Sequence, residues 1–244
     1  MAAGRAVEAY PQAHAVEAED VGRALVEQEA VGEAFYHGGG AGRPPEPRHH
    51  LLQQALDSGY AVRVLARDPA KLAGRHEQLV AVQGSLKDAT RVEEVIAGAD
   101  VVLSVLGPTS NKPTFEISQG TASIISTMKK HGVKRLIISA GAGVGDPGDT
   151  PKLFNKLINV ALKATARNVY EDMLKTVDQV RGSELEWTVV RVPRLTDGPK
   201  AGQVRVGMVG QGTGANLSRA DMAEFMLKQV VDGRHVRKAP VISN

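Results

Sequence analysis

The segment SGYAVRVLARDPAKL, residues 58–72, decides how the chain is read. A helical stretch from His49 to Ser58 stops at Gly59, a C-cap type of residue, and Ala61–Ala66 follows as a short apolar strand closed by Arg67-Asp68-Pro69. The same alternation repeats downstream. Leu79–Gln83 reads as a strand ending at Gly84, Thr90–Ala97 as a helix, and Asp100–Leu106 as a fully apolar strand ending at Gly107-Pro108-Thr109. Pro113 opens a helix expected to run to about His131, where Gly132 breaks it, and Lys134–Ser139 is the next strand, leading into Ala140-Gly141-Ala142-Gly143. A long helical stretch from Pro151 to Arg181 precedes the strand Glu186–Val192, closed by Pro193. Ser218 with Asp221 reads as an N-cap pair ahead of a helix over Met222–Val231, and Ala239–Ser243 as a short last strand. Strands alternating with helices predict an α/β chain: one domain built on a doubly wound parallel sheet, without internal repeats.

Composition narrows the function classes. Of 244 residues, 42% are hydrophobic and 23% charged, which excludes a wholly disordered or collagen-like chain. No apolar run approaches the roughly 20 residues of a membrane-spanning helix. The absence of cysteine removes disulfides, thiolate nucleophiles and Cys-ligated metals. No secretory pattern is present at the N-terminus, and a cytoplasmic location is expected. The net charge of +3 is spread over scattered basic residues with only nine aromatics for stacking, so neither nucleic acid nor membrane is expected as a partner.

Residues 1–48 differ in kind from 49–244. They hold 8 acidic and 4 basic residues against 19 and 26, and no Ser, Thr, Asn, Ile or Lys occurs before Ser58. This atypical segment reads as an out-of-frame or misassigned start; the alternative is an N-terminal extension that wraps the sheet edge. His37, His49 and His50 lack the partner set of a metal site, and no metal is expected.

In open parallel sheets ligands bind beyond the carboxyl ends of the strands, so the residues there carry the chemistry. Arg67 follows the 61–66 strand, where an acidic residue would hold the ribose 2′-hydroxyl of NAD; a guanidinium suits the 2′-phosphate of NADP instead. The plain alternative is a solvated surface arginine. Gly107, Pro108, Ser139 and Ala140 lie where the ribose and nicotinamide would pass, small residues allowing close approach. Ser139 reads either as a hydroxyl orienting the carboxamide or a substrate carbonyl, or as a simple turn residue. Ser85 and Leu86 fall on the adenine side. Arg194 and Asp197 contact a polar acceptor or form a turn and a surface salt bridge. The glycine-rich Gly207–Gly214 reads as a mobile flap or as a connector.

Taken with VQGSLKDATRVEEVIAGADVVLSVLGPTS (82–110), MKKHGVKRLIISAGAG (128–143), SELEWTVVRVPRLTDGP (183–199) and SRADMAEFML (218–227), the 58–72 segment makes residues 49–244 resemble the atypical short-chain dehydrogenases, especially the biliverdin-IXβ and flavin reductase-like NAD(P)H-binding proteins and their NmrA-like relatives. The resemblance implies a Rossmann fold, NADP(H) as cofactor, and reduction of a flavin, quinone or related conjugated small-molecule acceptor, or else dinucleotide sensing without turnover. It also implies a monomer or small homo-oligomer. Arg67 falls on the family's 2′-phosphate arginine and Ser139 on its active-site serine. Pro193 opens the substrate-side loop that runs to Pro199 and counts among the cofactor contacts.

Two departures stand out. The family opens with a central strand and a Gly-x-x-Gly-x-x-Gly turn, but here that turn falls on Gly42–Arg48, where only the first glycine remains and three prolines remove N–H donors. Upstream, Ala34–Ala41 is a poor first strand. The Tyr-x-x-x-Lys pair of ordinary short-chain dehydrogenases is also missing: alignment through Trp187 puts Val169 and Met173 on its two positions, while Tyr170 and Lys175 are five apart. The resemblance therefore implies acceptors that take their proton from solvent or carry it themselves, and not ordinary alcohols. A third expectation is a chain that has lost dinucleotide binding with its glycine turn.

Overall fold

Apolar residues along each strand point alternately to two faces, and both faces need cover. In the computed structural model, which describes residues 23–28, 47–72, 76–107, 111–151, 160 and 163–244, helices supply that cover on both sides. The elements run β1 (Arg23–Gln28), α1 (Pro47–Asp57), β2 (Ala61–Ala66), β3 (Leu79–Gln83), α2 (Ala89–Ile96), β4 (Val101–Ser104), α3 (Glu116–Lys130), β5 (Arg135–Gly141), α4 (Arg167–Gly182), β6 (Glu186–Val192), β7 (Arg194–Thr196), β8 (Arg205–Gly207), β9 (Asn216–Ser218), α5 (Arg219–Lys228) and β10 (Val241–Ser243). The main sheet has the order β3-β2-β1-β4-β5-β6-β10-β8, parallel except for β8. It is the doubly wound parallel sheet expected from the sequence, a Rossmann-like fold.

Neighbouring residues on one strand serve different cores. Leu103, Ile137 and Val190 pack with Leu51, Met222 and Phe225 beneath α1 and α5. Their neighbours Val102, Leu136, Ile138 and Val189 pack with Val95, Ile124 and Val177 beneath α2, α3 and α4. This is why β4 is buried along its whole length.

The first strand is the main correction. Instead of the poor candidate Ala34–Ala41, which lies outside the described residues, Arg23–Gln28 occupies the centre of the sheet. All six of its residues pair with β2, and Ala24–Glu27 also pair with β4. Ala24-Leu25-Val26 give this strand an apolar, glycine-free middle, whereas 34–41 carries three glycines that weaken a strand interior. Within the N-terminal segment, Arg23–Gln28 therefore enters the middle of the sheet.

Several helix ends fall where the sequence put them. Gly59 (φ 82°) ends α1, with Gly59 N–H donating to Leu56 O and Tyr60 N–H to Ala55 O. Asp88 accepts from Thr90 and Arg91 N–H at the start of α2, and Ser218 Oγ accepts from Asp221 N–H at the start of α5. The start of α3 moves from Pro113 to Glu116, because Phe115 sits in the left-handed region (φ 50°) and makes no side-chain cap. A residue from elsewhere caps it: Asp172 of α4, buried, accepts Ile117 N–H at 3.1 Å and Ser118 N–H at 2.9 Å. The glycine-rich excursion is hydrogen-bonded to its neighbours. Val209 N–H donates to Asp149 Oδ1, Gln211 Nε2 to Gly148 O, and Gly214 N–H to Ser243 Oγ.

Arg191, fully buried on β6, holds this region together. Its Nη1 and Nη2 reach the two Asp149 oxygens at 2.6 and 2.9 Å, its Nε reaches Ala239 O, and Nη1 also reaches Val144 O. Burial pushes the Asp149 carboxyl up, but the Arg191 bonds and the N–H donors of Val209 and Asp146 outweigh it and leave the group below its ordinary range. A carboxyl held lower in the folded than in the unfolded chain contributes stability that is complete above about pH 4 and is lost as pH falls through the folded value. Urea unfolding followed against pH should show this acid loss, and Asp149→Asn should be less stable at pH 7 with a shallower acid slope. On the opposite face, a Cβ at Gly120 of α3 would stand 2.2 Å from Leu86 Cδ1. Gly120→Ala should cost about 1–3 kcal/mol in urea unfolding, and combining it with Leu86→Ala should cost less than the sum of the two.

Candidate active site at the carboxyl edge of the sheet

Strand register aligns the functional candidates in one row. Gln83 pairs with Ala66, Ala66 with Gln28, Ser104 with both Glu27 and Ile138, and Ser139 with Val190. Gln83, Ala66, Gln28, Val105, Ser139 and Val190 are therefore level. Sheet order reverses between β1 and β4, which opens a crevice above the row.

Arg67 stands one residue beyond the row on β2 and is exposed, and Gly84 is at the same height on β3. Gly84 has no room for a side chain, since a Cβ there would lie 2.8 Å from Arg91 Cβ. Ser85 is half-buried, its Oγ accepting from Lys87 N–H. Leu86 is 5% exposed and packs on α3 at Gly120, so most of its apolar surface serves the core. On the other side of the switch, Gly107 is half-buried two residues above the row, while Pro108 lies outside the described residues. Ser139 is half-buried on the row, and its hydroxyl has no partner among the described residues. Ala140 is buried, and Pro193 follows β6, whose Val192 pairs with Gly141. Arg67 and Ser139 thus lie on opposite sides of the crevice along one edge, as the two ends of a dinucleotide require.

Helix α1 starts at this edge and carries no acidic residue in its first turn. The backbone N–H groups and positive dipole end of a helix start suit a pyrophosphate. Pro47 takes the first helical position, where its missing N–H removes a donor. The rest of the altered turn, Gly42–Glu46, lies outside the described residues. The edge fits the adenosine and nicotinamide ends of a dinucleotide through Arg67, Gly107 and Ser139, and offers the α1 N-terminus between them.

Helix α4 faces β5 through Met173. Its Sδ accepts Gly141 N–H at 3.2 Å, and Val169, one turn earlier, is 8% exposed. Apolar side chains thus occupy the two positions that aligned with a Tyr-Lys pair. Tyr170 lies under Lys163 Nζ and Lys175 Nζ lies over Phe115, so neither forms such a pair. Asn111, missed in the sequence, ties the loop after β4 to α4: its Nδ2 donates to Thr165 O, and its own carbonyl accepts from Asn168 Nδ2. Asp172 was missed as well. Its only sequence signal is a carboxylate on the apolar face of α4, three residues after Val169. On the acceptor side Asp197 pairs with Arg219, the salt bridge of the plainer reading, and Arg194 is exposed. Below them Asp221 is buried. Burial raises its carboxyl, but bonds from Ser218 Oγ, Ala201 and Gly202 N–H and Asn244 Nδ2 outweigh this and hold it low.

Known proteins resemble this arrangement. The oxidoreductase aflX of Aspergillus parasiticus is 26% identical over 164 residues, 61% of this chain; the chain spans 59% of that protein's length. A short-chain dehydrogenase/reductase from Veillonella parvula in complex with NADP superposes with a TM-score of 0.72 at 17% identity, over 92% of this chain and 95% of that one. A Rossmann-fold NAD(P)-binding family protein from Shigella flexneri superposes with a TM-score of 0.64 at 20% identity, over 92% and 94%. Likeness at these identities speaks to the fold. Among the described residues no helix is long and apolar enough to cross a membrane. The NAD(P)H-binding family matches residues 49–232, well over half of the sequence and the whole crevice downstream of β1, and the chain belongs to that family.

Proposed function

We propose that the protein is an NADPH-dependent reductase of a flavin, quinone or related conjugated small molecule. The observation that carries this reading is the contact between Met173 and Gly141, two residues from Ser139. It fixes a thioether at the lysine position of the Tyr-x-x-x-Lys pair, with Val169 one turn earlier at the tyrosine position, so neither member of the pair that would serve carbonyl reduction is present. An acceptor that delocalises the incoming electrons and takes its proton from solvent needs no such donor. When bound, the nicotinamide supplies the hydride. The protein's own groups bind and orient: Arg67 receives the 2′-phosphate, Gly107 lets the ribose pass closely, and the Ser139 hydroxyl donates to the carboxamide. Pro193 and the loop after it border the acceptor. Support for NADP comes from Arg67 and from the NADP complex of the Veillonella relative.

Steady-state oxidation of NADPH with flavins and quinones, set beside simple ketones, tests the reading. Turnover of the first group and not the second supports it; NADPH binding without turnover of any acceptor replaces it with a sensing, NmrA-like role. Arg67→Ala should weaken NADPH by roughly 10- to 100-fold, as expected for losing a charge-assisted contact to phosphate of about 1.5–3 kcal/mol. NADH should change by less than about threefold, because it lacks that phosphate. Calorimetric titration with both cofactors reads the difference.

A further inference from the structure

The charges around the acceptor half of the edge are unevenly satisfied. Carboxylates there are spent inside the protein. Asp146 holds Arg181 at 2.8 Å, Asp149 holds Arg191, Asp197 holds Arg219, and Asp221 is buried under its donors. Two cations are left over. Arg194, directly after Pro193, is exposed, and its side chain has no hydrogen-bond or ion-pair partner among the described residues. Arg205, the first residue of β8, is likewise exposed and unpaired among the described residues.

Register brings them to the same height. Val241 pairs with Arg191 of β6, and on its other side β10 runs antiparallel to β8 with Ser243 opposite Arg205. Arg205 is therefore level with residue 193, two strands away, a separation of about 10 Å. Two arginine side chains can span that gap to one anion. Their backbones are held in place: Arg194 N–H donates to Ala215 O and β7 pairs with β9, while Asp221 holds the chain at Ala201 and Gly202, just before Arg205.

We infer that the acceptor taken at this edge carries an anionic group, a carboxylate or a phosphate ester, received by Arg194 and Arg205. The inference rests on the reductase reading and names the acceptor class within it. A planar guanidinium matches either anion with two parallel N–H bonds, so discrimination comes from the group's charge and not from the conjugated ring.

Acceptors that differ only in that group provide the test. With NADPH saturating, FMN is compared with riboflavin, and a carboxylated quinone with its neutral parent. In the wild-type chain the anionic member of at least one pair should have a KM about tenfold lower, and the advantage should shrink as ionic strength rises. Arg194→Gln and Arg205→Gln together should bring the ratio to near one, while Lys134→Gln, which removes an exposed cation from the opposite edge, should leave it intact. Equal KM values within both pairs, or a ratio that survives the double substitution, overturn the inference. If NADPH binds and no acceptor turns over, the reductase reading falls, and the anion site is then read from FMN and riboflavin binding by flavin fluorescence. FMN binding that exceeds riboflavin binding and depends on the two arginines supports the site; equal or undetectable binding of both overturns it.

Discussion

Main-chain hydrogen bonding of Arg23–Gln28 to β2 on one side and β4 on the other joins the two halves of the sheet. A parallel sheet divided at its centre would leave two rows of unpaired N–H and C=O groups facing each other, each costly to bury. The crevice lies directly above this strand, between Arg67 on one flank and Gly107 and Ser139 on the other. The spacing between Arg67 and Ser139 is therefore set by backbone geometry, by three strand widths and their twist, and owes little to any single side chain.

Arginine is the other recurring device. Arg191 locks the loop after β5 to β6 and β10, Arg135 donates to Gln229 O at the end of α5, and Arg63 donates to Ala97 O at the end of α2. In each case a guanidinium satisfies carbonyls that the end of a helix or a loop leaves open. Burial lowers the affinity of Arg135 for its proton, though an arginine stays charged under any ordinary condition, so these contacts do not switch with pH. Asp149 beside Arg191 is held in its charged form by the same bonds that fix its loop.

Much of this was legible in the sequence. Ala61–Ala66, Leu79–Gln83 and Glu186–Val192 stand where their β-branched runs and terminal glycine or proline put them. The positions of Arg67 and Ser139 at the carboxyl ends of β2 and β5 follow once the fold class is known. What escaped reading depends on partners far apart in sequence. Asp172 caps a helix more than fifty residues earlier, a contact no local pattern announces. Strands of three residues, β7, β8 and β9, are too short for periodicity to show. Arg23–Gln28 was passed over because it sits in a segment of foreign composition, and only the vacancy between β2 and β4 gives it meaning.

The capping arginines have an effect on the molecule as a whole. Helices beside a parallel sheet share one direction, so their negative ends gather at the amino edge and their positive ends at the carboxyl edge. Arg63 and Arg135 offset the negative ends of α2 and α5 at the amino edge. At the carboxyl edge Asp88, Asp172 and Asp221 stand at the starts of α2, α3 and α5, so both edges carry their counter-charges from within the chain. Little helix-end charge is then left to act at a distance, and an anion approaching this edge meets mainly exposed side chains such as Arg194 and Arg205.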